Sequence, residues 1–230
     1  MRYLKLLTLV ITVMCVLTAC GTSREPSPFS DAEVGDIITL GGIDWRVLDI
    51  QDNRALVLSE YILSRRVWHY EQRLLTWEPS DIREYLNGQF IEDIFTEEEK
   101  SFIVETTITN GMNPWYGSAG GGGDTTDRVF LLSVWEAVYY FGDSGMLNEY
   151  SGRPATHMPD GLIDEYNPNR VARDRETGIA SWWWLRTPGR AVNPRYDSSA
   201  VAISGGGDLV VYGVYLIMEG GVRPAMWLRM

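Results

Sequence analysis

Alternating apolar and polar positions near the start of the chain predict an antiparallel β-meander. Strands are expected at Asp36–Leu40, Ile43–Ile50 and Arg54–Glu60, which are rich in β-branched residues. Gly41-Gly42 and the segment 51–53 separate these runs at hairpin length. A second group of apolar runs predicts four more strands near the end of the chain, at Ser181–Arg186, Ala200–Ser204, Leu209–Leu216 and Val222–Leu228.

Capping signals between these two groups predict two or three short helices. Ser80 precedes the amphipathic run DIREYLN and can accept from its first backbone amides. Thr96 with Glu99 and Ser133 with Glu136 each form a capping box, in which side chain and backbone satisfy each other across the first turn. The second box opens the run VWEAVYYF, which is expected to end at the following glycine.

Strands at both ends with helices between them predict an α+β fold rather than a βαβ winding. The segment 143–180 has no sustained period and many Gly, Pro, Asp and Asn residues, so long loops are expected there. Nothing after residue 33 is typical of a linker, and no internal repeat is visible. We therefore expect one globular domain over 34–230.

The first twenty residues have the pattern of a secretion signal. Arg2 and Lys5 precede an apolar run of 14 residues, Leu6–Ala19, which is shorter than the roughly 20 residues of a spanning helix. The run ends in Leu-Thr-Ala-Cys, which resembles the lipobox of bacterial lipoproteins, with Cys20 as the residue that receives the lipid. An uncleaved signal anchor is the alternative, because the uncharged stretch continues to Ser23.

Removal of residues 1–19 changes the composition of the protein. Two basic and no acidic residues leave with the signal, so the net charge of −11 becomes −13. Cys15 leaves and Cys20 is acylated, so no free thiol is expected in the folded part. The polar segment 20–33 is then a flexible tether. These features predict a cell-envelope protein that faces away from the cytoplasm and binds the membrane through the lipid on Cys20.

The composition also excludes several classes of function. An acidic chain lacks the surplus of Lys and Arg that binding to nucleic-acid phosphates requires. Two cysteines and two histidines are too few for a disulfide scaffold or a typical zinc site. The Gly run at 120–123 is followed by no Gly-Lys-Ser/Thr ending, so it is not a phosphate-binding loop. No cofactor is expected.

Two segments of the C-terminal half carry a family resemblance. They are Trp183–Gly189, WWLRTPG, and Gly221–Leu228, GVRPAMWL, and they are accompanied by Gly42–Leu48 and Asp127–Ser133. Together they resemble a bacterial domain family of unknown function that recurs in surface and lipid-anchored proteins. That family is distantly similar to the C-type-lectin-like superfamily, which includes the sulfatase-modifying proteins. The resemblance implies a mixed domain over about 34–230 in which the N- and C-terminal strands pair and long loops lie on one side.

Four residues are candidates for ligand binding. Trp115 and Tyr116 lie in a polar loop and are expected to form an exposed aromatic patch. Arg186 and Arg223 follow apolar strand residues; either they bind a ligand or each fixes a loop through carbonyl and carboxylate groups, and the second reading is favoured. A calcium site at Asp124 and Asp127 is a weak alternative use of the neighbouring loop.

The distribution of tryptophans gives a further expectation. Trp182 and Trp184 should share one strand face and Trp183 the other, where they form either the core or an aromatic platform, with the core favoured. We expect the core to include Trp45, Trp135, Trp182, Trp183, Trp184 and Trp227. A tryptophan that recognises a ligand is expected among Trp68, Trp77 and Trp115.

These observations favour a non-catalytic, lipid-anchored binding module for a glycan, peptide or partner protein. The first alternative is a hydrolase of cell-wall or polysaccharide material that uses loop carboxylates, and the second is a structural envelope protein. No Gly-x-Ser-x-Gly motif supports a Ser-His-Asp triad. The candidate residues of the hydrolase are His157, Asp160, Asp164, Glu165, Asp174 and Glu176.

Overall fold

The computed structural model describes residues 27–116, 120–154, 157–159, 161–191 and 198–230. The expected signal, Cys20 and Asp160 lie outside the described residues. No helix within these ranges is long and apolar enough to cross a bilayer.

The first sheet joins the two ends of the described chain. Its order is β1-β2-β3-β14-β5, and all of its neighbours are antiparallel. The meander predicted from the sequence forms three of these strands, and the last strand of the chain lies beside the third. The strands are β1 (Ile37–Leu40), β2 (Ile43–Gln51), β3 (Arg54–Ser59), β5 (Ile103–Val104) and β14 (Ala225–Arg229).

The second sheet has the order β12-β11-β10-β13-β4. Its neighbours are antiparallel except β10 and β13, which run parallel. The central strand β10 is buried along its whole length. The strands are β4 (Ser64–Arg66), β10 (Trp183–Pro188), β11 (Ser199–Ile203), β12 (Leu209–Tyr215) and β13 (Gly220–Val222).

Short helices and two small sheets complete the described structure. The helices are α1 (Asp81–Asn87), α2 (Gln89–Ile94), α3 (Glu97–Lys100), α4 (Val134–Phe141), α5 (Met146–Glu149) and α6 (Asn167–Arg170). The two-stranded sheets pair β6 (Thr106–Ile108) with β7 (Thr125–Asp127), and β8 (Ala172–Arg173) with β9 (Ala180–Ser181). Mostly antiparallel open sheets with a few short helices are consistent with the expected α+β class.

Local signals located three of these helices correctly. Ser80 accepts from the Arg83 amide at the start of α1, and both capping boxes are present, at Thr96 for α3 and at Ser133 for α4. The sequence did not predict α2, α5 and α6, which have no side-chain cap hydrogen bond.

The single strand predicted over Val222–Leu228 is two strands in different sheets. The chain leaves the second sheet after Val222 and enters the first at Ala225. Pro224 lacks a backbone donor and so cannot continue a ladder. Its carbonyl accepts from the Ser59 amide at 2.9 Å, at the place where β3 also leaves the first sheet.

The globular part begins before the expected boundary at residue 34. Phe29 is buried and its ring meets Phe102 edge-on, with 5.6 Å between centroids. The Ser27 hydroxyl donates to the Arg229 carbonyl at 2.7 Å. The tether expected over 20–33 therefore includes residues that pack on the last strand of the first sheet.

Helix α4 ends at Gly142, a position that only glycine fits. The Gly142 amide donates to the Val138 carbonyl at 2.9 Å, and its φ of +125° lies in the region that disfavours other residues. A Cβ atom at this position would overlap the Tyr166 ring. The end of α4 is thus fixed against the segment that precedes α6.

We expect Gly142→Ala to lower the free energy of unfolding by about 2 kcal/mol or more, since it adds a steric overlap to an unfavourable φ. Urea denaturation measures this change. Gly145→Ala is the matched control, because Gly145 also has a positive φ, +80°, but a Cβ there would meet nothing within 4 Å. Equal losses in the two variants would contradict the packing of Tyr166 against Gly142.

Candidate functional site

The tryptophans are distributed differently from the expectation. All nine lie in the described residues, and Trp135 is the exposed one, at 38%. Trp182 and Trp227 are half-buried, and the others are buried in the core. The placement of Trp135 in the core is wrong. Trp68, Trp77 and Trp115, among which a ligand-recognising tryptophan is expected, are all buried.

The solvent face of α4 explains the exposure of Trp135. Four apolar residues at helical spacing face the core: Val134, Ala137, Val138 and Phe141. Trp135 and Tyr139 fall on the other side, one turn apart, and Tyr139 is 75% exposed. The spacing of apolar residues in the VWEAVYYF run already indicates this exposure, since Trp135 falls outside the stripe of residues that faces the core.

Trp135 lines two recesses, and we call them together the α4 groove. The first, the aspartate recess, has a volume of about 430 Å³. It is lined by Trp135, Glu136, Val138, Tyr139, Asp143 and Asn148. Asp143 and Asn148 are exposed, so polar groups stand beside the two aromatic rings.

The second recess, the arginine recess, has a volume of about 590 Å³. It is lined by Met112, Asn113, Pro114, Trp115, Trp135, Ser151, Gly152 and Arg153. Trp115 is only 4% exposed, so the exposed patch expected at this residue is wrong. Its indole nitrogen donates to the Leu147 carbonyl at 3.1 Å, which makes it a fixed wall of the recess.

Asn113 holds the loop that forms this recess. Its amide nitrogen donates to the Pro188 carbonyl at 3.0 Å and to the Val211 carbonyl at 2.8 Å. Its oxygen accepts from the Trp115 and Tyr116 amides at 3.0 and 3.1 Å. One buried side chain therefore fixes the loop to the end of β10 and to β12, both strands of the second sheet.

Arg186 holds the start of α4. Its guanidinium forms a two-pronged ion pair with Glu136, with 2.9 Å between Nη2 and Oε1. The same group donates to the Leu131 carbonyl at 2.8 Å and to Asn110 Oδ1 at 3.2 Å. The next residue contributes as well, because the Thr187 hydroxyl accepts from the Val134 amide at 2.9 Å. The favoured expectation that Arg186 fixes loops thus agrees with its contacts.

The charge of Glu136 depends on Arg186. Burial alone would raise the pKa of the Glu136 carboxyl, but the Arg186 charge and hydrogen bonds to Arg186 and Ser133 hold the pKa below its ordinary value. The carboxylate also completes the capping box, since it accepts from the Ser133 amide at 2.7 Å. It is therefore occupied by internal contacts at the edge of the groove.

A second buried ion pair holds the other end of α4. Arg170 and Asp164 form two hydrogen bonds of 2.7 and 3.0 Å, and both side chains are almost completely buried. Arg170 also donates to the Gly142 carbonyl at 2.9 Å, and Asn169 donates to the Phe141 carbonyl at 2.9 Å. Both ends of the helix that carries Trp135 are therefore clamped.

Arg223 is an internal residue at the crossing between the sheets. It is 4% exposed, and its Nε donates to the Ser59 carbonyl at 2.8 Å. Its guanidinium lies 5.1 Å from the Trp183 ring centre and 5.7 Å from that of Phe141. Burial lowers the pKa of Arg223 to about 10. Arg223 therefore stabilises the crossing and lies away from the lining of the α4 groove.

Tyr116 is not among the residues that line the α4 groove. It is half-buried, and the Arg190 guanidinium lies 5.8 Å from its ring centre. Arg190 lines a pocket of about 440 Å³ with Ser199, Tyr212, Tyr215 and other residues of β12 and its end. Of the two aromatic candidates, Trp115 therefore lines the arginine recess, whereas Tyr116 lies beside Arg190.

The weak calcium candidates have different environments. Asp124 is exposed. Asp127 is buried, and its oxygens accept from Trp77 Nε1 at 2.8 Å, Arg83 Nε at 2.6 Å and the Thr125 hydroxyl at 2.9 Å. Among the described residues, no group of three or more His, Cys, Asp and Glu side chains is placed to hold a metal ion.

Asp164 and Asp174, two carboxylates of the long loop, engage separate partners. Asp164 is paired with Arg170; burial would raise its pKa, but the hydrogen bonds from Arg170 and Ser144 lower it. Asp174 accepts from the Thr177 and Glu176 amides, which lowers its pKa too. A general acid of a glycosidase requires a raised pKa.

The family described as "Domain of unknown function (DUF6273)" matches residues 52–230. The chain belongs to this family. No curated protein and no solved structure matches the chain. The DUF6273 match begins in the turn between β2 and β3, later than the resemblance expected from residue 34, and it includes the whole α4 groove.

We expect Glu136→Gln to weaken the acid dependence of stability of this DUF6273 protein. A carboxyl whose pKa is lowered by folding contributes stability above its unfolded pKa and loses it as the pH falls through the folded pKa. At neutral pH the variant leaves Arg186 buried without its partner, which should cost about 3 kcal/mol. Urea denaturation at about pH 7 and about pH 3 should show the difference from the natural protein shrinking in acid.

Glu149→Gln is the control for this comparison, because Glu149 belongs to an exposed pair with Arg153. Its removal should change stability by less than about 1 kcal/mol at either pH. An equal effect of the two substitutions would contradict the role of the Arg186–Glu136 pair.

Proposed function

We propose that this protein is a lipid-anchored, extracytoplasmic binding module that holds a glycan in the α4 groove without catalysing a reaction. The observation that carries the proposal is the exposure of Trp135 and Tyr139 on one helix whose ends are both clamped. Because the backbone that carries these rings is held in place, it loses little conformational freedom when a ligand binds.

The chemistry of the groove suits a sugar. A sugar ring has an apolar C–H face, which can lie on an indole or phenol ring, and hydroxyl groups around its edge. Asp143 and Asn148 stand beside the rings and can accept from or donate to those hydroxyls. Both recesses have volumes typical of small-molecule sites, about 300–1,000 Å³.

The state of the loop carboxylates supports a binding role over a hydrolytic one. Asp164 and Asp174 are held ionised by hydrogen bonds, whereas an acid catalyst must keep its proton at neutral pH. The formylglycine-generating activity of the distant relatives implied by the resemblance uses cysteines, and no cysteine lies in the described residues.

The similarity to the C-type-lectin-like superfamily and the lipoprotein anchor are parts of the same proposal. Pairing of β14 with β3 supports the first, since that superfamily implies adjacent N- and C-terminal strands. The basic start, the short apolar run and Cys20 support the second. An acidic domain is repelled by anionic lipid, so the lipid rather than the protein surface would hold it to the membrane.

We expect Trp135→Ala to reduce glycan affinity at least tenfold, because truncation of a central aromatic contact typically costs more than 1.4 kcal/mol. A glycan array with the full-length protein would identify the ligand, and titration of tryptophan fluorescence would give the affinity. Tyr61→Ala is the matched control: Tyr61 is 39% exposed and lies outside the groove lining.

Two results would reject this assignment. Glycan binding that survives Trp135→Ala would place the site elsewhere, and binding to no glycan would favour the structural alternative. Release of reducing sugar from a bound polysaccharide would establish the hydrolase instead.

Lipidation gives an independent prediction. Intact-mass measurement of the protein from bacterial membranes should show loss of residues 1–19 and an added lipid mass, and Cys20→Ala should remove that mass. The Cys20→Ala protein should also leave the membrane fraction, because the lipid is expected to be its anchor. An unlipidated natural protein that retains residues 1–19 would support the signal-anchor alternative.

A further inference from the structure

We infer that the α4 groove takes two or more consecutive units of a linear, uncharged glycan chain, with Trp135 at the junction between two subsites. This inference rests on the proposed function and specifies its ligand. The starting observation is that Trp135 lines both recesses, so that a ligand filling either one contacts the same indole ring.

The size of the groove supports more than one unit. The recesses measure about 430 and 590 Å³, and each alone lies within the range of a complete small-molecule site. Each also has its own apolar contact beyond the shared ring. Tyr139, 75% exposed, serves the aspartate recess, and Met112, 59% exposed, serves the arginine recess.

The walls of both recesses are fixed before a ligand arrives. Clamps at Arg186 and Arg170 hold the Trp135 helix, and Asn113 holds the loop that carries Met112. On the far side of the arginine recess, the Arg153 guanidinium lies 4.7 Å from the Tyr150 ring centre, and that ring lies 5.6 Å from Trp115. A chain bridging two such preformed sites gains affinity with each unit until both are filled.

The charge of the groove favours an uncharged chain. In the aspartate recess, Asp143 is an exposed carboxylate and Glu136 is already neutralised by Arg186. In the arginine recess, Arg153 is paired with Glu149 at 3.3 Å. The surplus charge at the groove is therefore the negative one of Asp143, on a chain whose net charge is also negative. Chains of acidic sugars should be repelled, and salt should weaken that repulsion.

The test uses the full-length protein and soluble N-acetylglucosamine oligomers of one to six units, titrated by tryptophan fluorescence and calorimetry. Affinity is expected to rise at least tenfold from one unit to the length that fills both recesses and then to level off. Tyr139→Ala and Met112→Ala should each flatten this rise, because each removes a contact from one subsite. Tyr61→Ala should leave the rise unchanged.

Charge is tested with oligomers of galacturonic acid of the same lengths. They should bind at least tenfold more weakly than the neutral series at low salt, and Asp143→Asn should narrow the difference. If a single unit binds as tightly as the longest oligomer, or if acidic oligomers bind as well as neutral ones, the two-subsite inference is overturned while the glycan-binding proposal stands. If no oligomer in either series binds and the glycan array is also negative, the proposed function itself fails.

Discussion

The ion pair between Arg186 and Glu136 is the interaction on which the candidate site depends. It connects the central strand β10 of the second sheet to the first turn of α4, and the same guanidinium reaches the Leu131 carbonyl and Asn110. Three segments far apart in sequence thus meet at one planar group, which suits arginine because its five donors have a fixed geometry. A lysine carries its donors on a single nitrogen, so it could not make the two-pronged pair and the carbonyl contacts at the same time.

Buried ion pairs of this kind specify geometry more than they add stability. Removing two charges from water is costly, and the attraction between them repays the cost only when the remaining donors are also satisfied. At Arg186 those donors meet carbonyl groups, and at Arg170 the two Nη groups meet Asp164 and the Gly142 carbonyl. The buried Nε of Arg170 has no hydrogen-bond partner among the described residues, so its desolvation is not offset. The two pairs lie at opposite ends of α4, so the helix is held in position and in rotation. A helix of eight residues would be marginal alone, so this support stabilises the orientation that its apolar spacing sets.

The parts that could be predicted from sequence are those that local interactions determine. The first hairpins and the helices at Ser80, Thr96 and Ser133 follow from contacts within a few residues. The break between β13 and β14 cannot be predicted from such local contacts, because it depends on where the second sheet ends in space. Pro224 is the one local sign of this break. The exposure expected at Trp115 is wrong for a similar reason: its loop is polar in sequence, yet Asn113 and the Leu147 carbonyl hold the indole in the protein interior. The burial expected at Trp135 is also wrong, although the helical period of its segment places this residue on the solvent side.

The segment Trp183–Gly189 supports the candidate site without lining it. Trp183 meets Phe141 of α4 edge-on at 6.3 Å, while Arg186 and Thr187 bind the first turn of the same helix. None of these three side chains lines the α4 groove, which is formed by residues such as Trp135, Tyr139 and Asp143. The matched family is a domain of unknown function, so the ligand has to be inferred from the surface that these supporting residues present.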